Sequence, residues 1–427
     1  MVAPDRLTNL PPAPPLPERL CDVDRVVAVL TERGLDGLVS YCRPNVLYFT
    51  SYGGKSTTAH HEDNPLGAFV FSRHAPDHPI LIMPEFDLGT LLARPTWVDD
   101  VRPYANVMLP LAFPADAAGF SRFVPDTVLG TDWGKAALAN YAPDFPHALQ
   151  GAIRDLGLDR GRVGFDNPRV AGIVDTGTAE IVDAFSTAKY IRQVKTPAEI
   201  EIMRHSSRIN EIALEQTLVE WEPGVTWQEL NHRYNCNALA AGGWVHDGGA
   251  IIFSNPPDGN PAFYTDDGIT DFVIDRGMNL MFDCHGSWRN YAWDGGKTWF
   301  VGGEPDAMQA RVGKACSDAL DAIRDAAEPG VSMSRLQQIG LDVMNRDLPR
   351  ADTSTVFFHG LGLEHIDMEV VPGRTDWTLD AGMVLSAHIQ YPGDVRERYF
   401  IEDIMHVRAD GADRLFSWDN SPFEYGG

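Results

Sequence analysis

Apolar positions recur at two different periods along this chain. From Val23 to Arg33 they follow helical spacing and stop before Gly34, which predicts a helix. Short apolar runs follow and predict strands: Gly37 to Tyr41, Asn45 to Phe49, Ala68 to Phe71 and Pro79 to Met83. Helical spacing returns near Lys135 to Tyr141 and again from Phe145 to Leu156. Strand alternating with helix argues for an α/β domain.

A long amphipathic helix is predicted next. Thr196 stands as its N-cap, Pro197 at its first position and Glu199 three residues after the cap. It should end near Trp221, before the Glu222-Pro223-Gly224 turn, with Thr226 capping a second helix from Trp227 to Ala241. The rest reads as strand-rich, broken by helices at Pro305 to Ala327 and Ser332 to Asn345. At 427 residues the chain is too long for one ordinary core. The expected division is a proline-rich arm over 1–20, an α/β domain over 21–187 and a second, α+β domain over 188–427.

Composition adds exclusions. Hydrophobic residues make up 44%, as in a soluble globular protein, and the formal net charge is −25. No basic patch could outweigh that field, so nucleic-acid binding is not expected. The cysteines are Cys21, Cys42, Cys236, Cys284 and Cys316, an odd number without a CxxC, which points to reduced thiols rather than a disulfide framework or thiolate metal site. The N-terminus lacks the apolar core of a signal peptide, and no window reaches the roughly 20 apolar residues of a membrane span. A cytoplasmic protein with no membrane partner is expected.

The chemistry concentrates in the last third. Asp283 ends the apolar run Met278 to Phe282, and Asp294 follows 11 positions on. His359 lies in FFHGLGLEH, His388 closes VLSAH, and Glu402 sits inside YFIEDIMHV. Each lies at or near a β-type run, so a sheet could converge them. Mixed carboxylate and imidazole ligands suit Zn, Mn, Fe or Co, whereas Ca or Mg would be held by oxygens alone. Strand alternation turns Cys284 away from Asp283.

These motifs resemble the pita-bread metallohydrolases: methionine aminopeptidase, prolidase, aminopeptidase P, creatinase and dimethylsulfoniopropionate lyase. The resemblance covers roughly 190–410. Its elements are RQVKTPAEIEIMR, EPGVTWQEL, the Asp283–Asp294 spacing, His359 before Gly-x-Gly, and Glu402. The helix–strand start and NVLYFTSYGG are similar to the creatinase-type N-terminal domain, assigned to 21–187. The family implies a pita-bread catalytic domain over 188–427, one or two divalent transition ions, a small-molecule substrate and a homodimer.

Three departures change the expected chemistry. His388 stands where the family has a glutamate that also accepts a proton from the attacking water, and a coordinating imidazole nitrogen cannot do that. The loop histidine of the peptidases is missing from SNPPDGNPAFYTDD. The further histidine comes six residues after His359, at His365, where the family peptidases space it by seven. That shorter spacing is where the lyases place a base, and His285 stands where they carry an acid.

His365 is therefore the candidate acid/base, and His285 and Lys297 are expected behind the ligands, Lys297 paired with a ligand carboxylate. Trp288, Tyr291, Trp293 and Trp299 are expected chiefly in the core, though aromatic walls would suit a cationic substrate. His246, Asp247, the His60-His61-Glu62-Asp63 loop and the charged hairpin Arg396, Glu397, Arg398 read as solvated surface, with pocket roles open. The expected activity is metal-dependent hydrolysis of an amide or related C–N bond of a small molecule, Xaa-Pro peptidase-like in ancestry but not ordinary peptidase action. A lyase and a non-catalytic binding module are the alternatives.

Overall fold

The computed structural model describes residues 10–54, 66–105, 116–254, 262–264, 271–303, 305–349, 354–374, 376–392 and 397–424, with only the backbone of 246–254 and 262–264. Two compact units form. The first is Leu16–Arg192 with Glu369–Val371; the second is Gln193–Met368 and Pro372–Gly427, with Met1–Pro15. Among the described residues no helix is long and apolar enough to cross a membrane.

The first unit is a six-stranded mixed sheet in the order β4-β3-β2-β1-β5-β6. Its strands are β1 (Gly37–Ser40), β2 (Ala68–Ser72), β3 (Ile80–Pro84), β4 (Asp100–Tyr104), β5 (Arg162–Phe165) and β6 (Glu180–Asp183). Helices α1 (Val23–Glu32), α2 (Arg43–Thr50), α3 (Ala117–Phe120), α4 (Asp126–Leu129), α5 (Asp132–Ala139), α6 (Phe145–Asp155) and α7 (Phe185–Arg192) complete it. Helix α6 packs its buried face, Phe145, Ala148, Leu149, Ala152 and Ile153, onto the sheet.

The run Asn45 to Phe49 is helical, not the expected strand. All six residues from Asn45 to Thr50 are buried, so no period-2 or period-3.6 stripe distinguishes the two states. A distant side chain anchors the approach to the helix. Asp166 accepts from the backbone N–H of Tyr41 (2.7 Å) and Cys42 (3.1 Å) and from Asn45 Nδ2 (2.7 Å), holding the lead-in to α2 from a distant position in the chain.

The second unit opens on α8 (Pro197–Val219) and α9 (Trp227–Ala240). Both carry full capping boxes: Thr196 with Glu199, and Thr226 with Glu229. One sheet joins β10 (Tyr291–Gly295), β9 (Asn279–Trp288), β7 (Trp244–Ser254) and β8 (Ala262–Tyr264), with β11 (Thr298–Phe300) also on β9. The other runs β12 (Thr355–Gly360), β13 (Val384–Tyr391), β14 (Tyr399–Arg408), β15 (Gly411–Arg414), all antiparallel. Val356, Leu385, Ala387, Ile389, Ile401 and Met405 face the core formed with α10 (Ala307–Ala326) and α11 (Met333–Asp347). The intervening residues face the other way, and they carry the chemistry. Asp283 lies inside β9, which continues to Trp288, rather than at the end of its strand.

Candidate metal centre

Cross-strand register assembles the site. On the β12–β13–β14 sheet, Phe357 is opposite His388, which is opposite Glu402, and His359 is opposite Ser386. Period-2 alternation puts all five on one face. His388 Nε2 lies 2.8 Å from Glu402 Oε1, and the Ser386 hydroxyl donates to that same oxygen. The Phe357 ring stacks on His388 at 4.0 Å. The N–H of Glu402 donates to Gly296 O (2.9 Å), which ties β14 to the segment after Asp294.

The β9–β10 hairpin supplies the other half. Trp288 and Tyr291 flank a two-residue turn in which Arg289 (φ 51°) and Asn290 (φ 67°) are both left-handed, the type I′ geometry that fits the twist of paired strands. That turn fixes the register, which sets Asp294 opposite His285. Asp283 and His285 share a face by alternation, while Cys284 points into the core. His285 Nε2 thus lies 2.9 Å from Asp283 Oδ1 and 3.0 Å from Asp294 Oδ1. Gly286 is required beside it, because a Cβ there would fall 2.0 Å from the Trp293 ring.

Asp294, His359, His388 and Glu402 bring one ligand atom each to within 4.8 Å of one another, all buried. Bonds of about 2.0–2.2 Å to a common ion span that distance with slight inward movement. Both oxygens of Asp294, Glu402 Oε2 and His388 Nδ1 are buried without a properly aligned hydrogen bond among the described residues. Leaving such atoms unsatisfied is costly, and a cation would satisfy the carboxylates. His359 Nδ1 can only donate to Gly360 O (3.2 Å), which leaves its Nε2, 3.2 Å from Asp294 Oδ2, with the lone pair a metal needs. These residues fit a divalent transition ion.

Charge supports the fit. Burial, with Asp294 and Asp283 nearby, pushes the Glu402 carboxyl well above its usual range. Burial acts on Asp294 in the same sense, but His285 and His359 outweigh it and hold that carboxyl well below the usual range. Burial lowers His388 to about 4, so its ring is neutral at pH 7 and free to coordinate. Burial also opposes a charge on His285, yet the hydrogen bond to Asp283 and the pull of Asp294 raise it to about 10.

His365 joins a second group, with His285 and Asp294. Its Nδ1 is 3.5 Å from Asp294 Oδ2, and its ring lies 4.6 Å from His285 and 4.7 Å from His359. Its side chain is 45% exposed, against 13%, 11% and 5% for His285, His359 and His388, so it is the ring of the four most open to a substrate. The loop that carries it is pinned from below. Asp367 Oδ2 accepts from Lys195 Nζ (3.0 Å) and from the Leu363 N–H (3.0 Å). Gly362 must be glycine, since a Cβ would fall 2.1 Å from Asp367 Oδ2.

Not every sequence expectation converges. Asp283 contributes no atom to the four-residue group and reaches it through His285. Lys297 does not pair with a ligand carboxylate: its Nζ donates to Asp419 O (2.8 Å) and lies 4.4 Å from the Phe423 ring. Tyr291, Trp293 and Trp299 are core residues. Side chains of His246 and Asp247, the 60–63 loop and Arg396 lie outside the described residues. Sequence reasoning missed Ser386, Phe357, Lys195 and Asp367; pairing of β12 with β13 would have revealed the first two.

The two-unit architecture, with a buried carboxylate–imidazole cluster on the strands of the second unit, is the pita-bread fold. Over residues 201–409 the chain matches the model of metallopeptidase family M24. Solved structures share the fold along nearly the whole length. A dipeptidase from Pyrococcus horikoshii OT3 is 17% identical with a TM-score of 0.69, covering 94% of this chain and 99% of its own. An X-Pro aminopeptidase from Thermotoga maritima MSB8 is 17% identical (TM-score 0.66; 95% and 99% covered), and dipeptidase PepE from Mycobacterium ulcerans is 20% identical (0.66; 94% and 96%). No curated protein matches the sequence.

Proposed function

We propose that this protein is a metal-dependent hydrolase that cleaves an amide or related C–N bond of a small molecule. The observation that carries the reading is the four-residue group Asp294, His359, His388 and Glu402, in which both Asp294 oxygens and Glu402 Oε2 are buried without an aligned hydrogen bond among the described residues. These residues would hold one divalent transition ion, Mn, Fe, Zn or Co. A bound ion would supply Lewis acidity toward a carbonyl oxygen and acidify water.

The chain's own residues do the rest. Ser386 steadies Glu402, and Gly360 O fixes the tautomer of His359. In the hydrolysis, water oxygen bonds to the acyl carbon and gives its proton to the His365 ring, the C–N bond breaks, and the leaving nitrogen takes that proton. His365, half exposed beside Asp294, is the group to deliver it. Phe357 is 41% exposed and stacked on His388, and it offers an apolar wall to the substrate. Ordinary Xaa-Pro peptidase action fits less well, because His388 replaces a proton-accepting carboxylate. The likeness to a dipeptidase and an X-Pro aminopeptidase supports C–N cleavage as the reaction class.

The test is a substrate panel of Xaa-Pro dipeptides, cyclic amidines and sulfonium acids, run in heavy-oxygen water with the manganese-loaded protein. Hydrolysis puts the label into the carboxyl product. Turnover that leaves the product unlabelled marks an elimination and contradicts the reading.

A further inference from the structure

The structure assigns this chain a single ion, with the imidazole of His285 occupying the space between Asp283 and Asp294 that a second ion would need. This inference rests on the reading that the four-residue group holds a metal, and it goes beyond that reading in fixing the stoichiometry and giving Asp283 a different task.

Three observations carry it. First, His285 Nε2 stands 2.9 Å from Asp283 Oδ1 and 3.0 Å from Asp294 Oδ1. An ion gripping both oxygens would need bonds of about 2.0–2.2 Å to each, and a ring nitrogen that near to both leaves no space between them. Second, the ring is held there. It is directly opposite Asp294 on a hairpin whose register is set by a two-residue turn, and the His365 ring packs edge-on against it at 4.6 Å. Third, Asp283 gives no atom to the four-residue group. Its carboxylate instead accepts from His285, so it acts as a positioning residue that holds that ring.

Charge agrees with this count. Asp294 and Glu402 are the only anionic members of the group, and one divalent ion balances them. Two ions would bring four positive charges to Asp283, Asp294 and Glu402, and His388 adds none in compensation.

The experiment loads the full-length protein with excess manganese, removes free ion by desalting, and counts metal per chain by elemental analysis. Wild type should retain one ion. His285→Ala opens the space between Asp283 and Asp294 and should retain two, a twofold rise. Electron paramagnetic resonance on manganese-loaded wild type gives a readout that does not depend on the variant folding: an isolated-ion spectrum is expected. Two ions in wild type, an exchange-coupled spectrum, or one ion in a folded His285→Ala would overturn the inference. No retained ion in wild type would overturn the metal reading itself, which separates the two failures.

Discussion

The pair Lys195–Asp367 offers the sharpest test of how the site is held. Both side chains are 1% exposed, and Nζ to Oδ2 is 3.0 Å. Asp367 also accepts from the Leu363 N–H and so fixes the loop between His359 and His365; Ala292 N donates to Gly362 O (2.7 Å) from the β10 side. Lys195→Met leaves a carboxylate buried without its counter-charge. Removing one partner of a buried pair costs about 3–5 kcal/mol. At about 2–4 °C per kcal/mol for a unit of this size, the melting temperature should fall by about 6–20 °C. Replacing both, Lys195→Met with Asp367→Leu, removes the stranded charge and leaves chiefly the Leu363 N–H unsatisfied, about 1–3 kcal/mol. Urea unfolding at constant slope would measure Lys195→Met, Asp367→Leu and the double variant. The reasoning fails if the single substitution costs under about 1 kcal/mol, or if the double variant loses as much as the two singles summed.

Other expectations follow from the same geometry. His359→Ala and His388→Ala should each remove most bound transition metal on elemental analysis, and unchanged content in both would refute the ligand assignment. His365→Ala should keep the metal and lose about 10²–10⁴-fold in turnover, the usual worth of a positioned proton donor; full activity would remove His365 from the mechanism. Burial raises Glu199 to about 7 from 4.5, against the pull of Lys195, Thr196 and Tyr291. A carboxyl whose folded pKa lies above its unfolded one stabilises fully below the unfolded value and loses that contribution as pH rises through about 7. Glu199→Gln should therefore flatten a decline of about 3 kcal/mol across that window, measured by unfolding at a series of pH values.

What the sequence made legible followed from local rules. The capped starts of α8 and α9, the strand alternation that separates Asp283 from Cys284, and the order of Asp294, His359, His388 and Glu402 all depend on neighbours a few residues away. Where the decision was made at a distance, reading failed. Residues 45–50 are helical, and the segment just before them is held by Asp166, more than a hundred positions on. Lys297 turned to Asp419, and Asp283 met His285, because strand register decides which side chains meet. The Lys195–Asp367 pair joins residues 172 apart and left no trace in any local pattern.

The most direct test of the central claim is anomalous diffraction from a crystal grown with manganese. One anomalous peak is expected, about 2.0–2.3 Å from donor atoms of Asp294, His359, His388 and Glu402. A crystal with no peak at those four side chains, or with its only peak elsewhere, would contradict it.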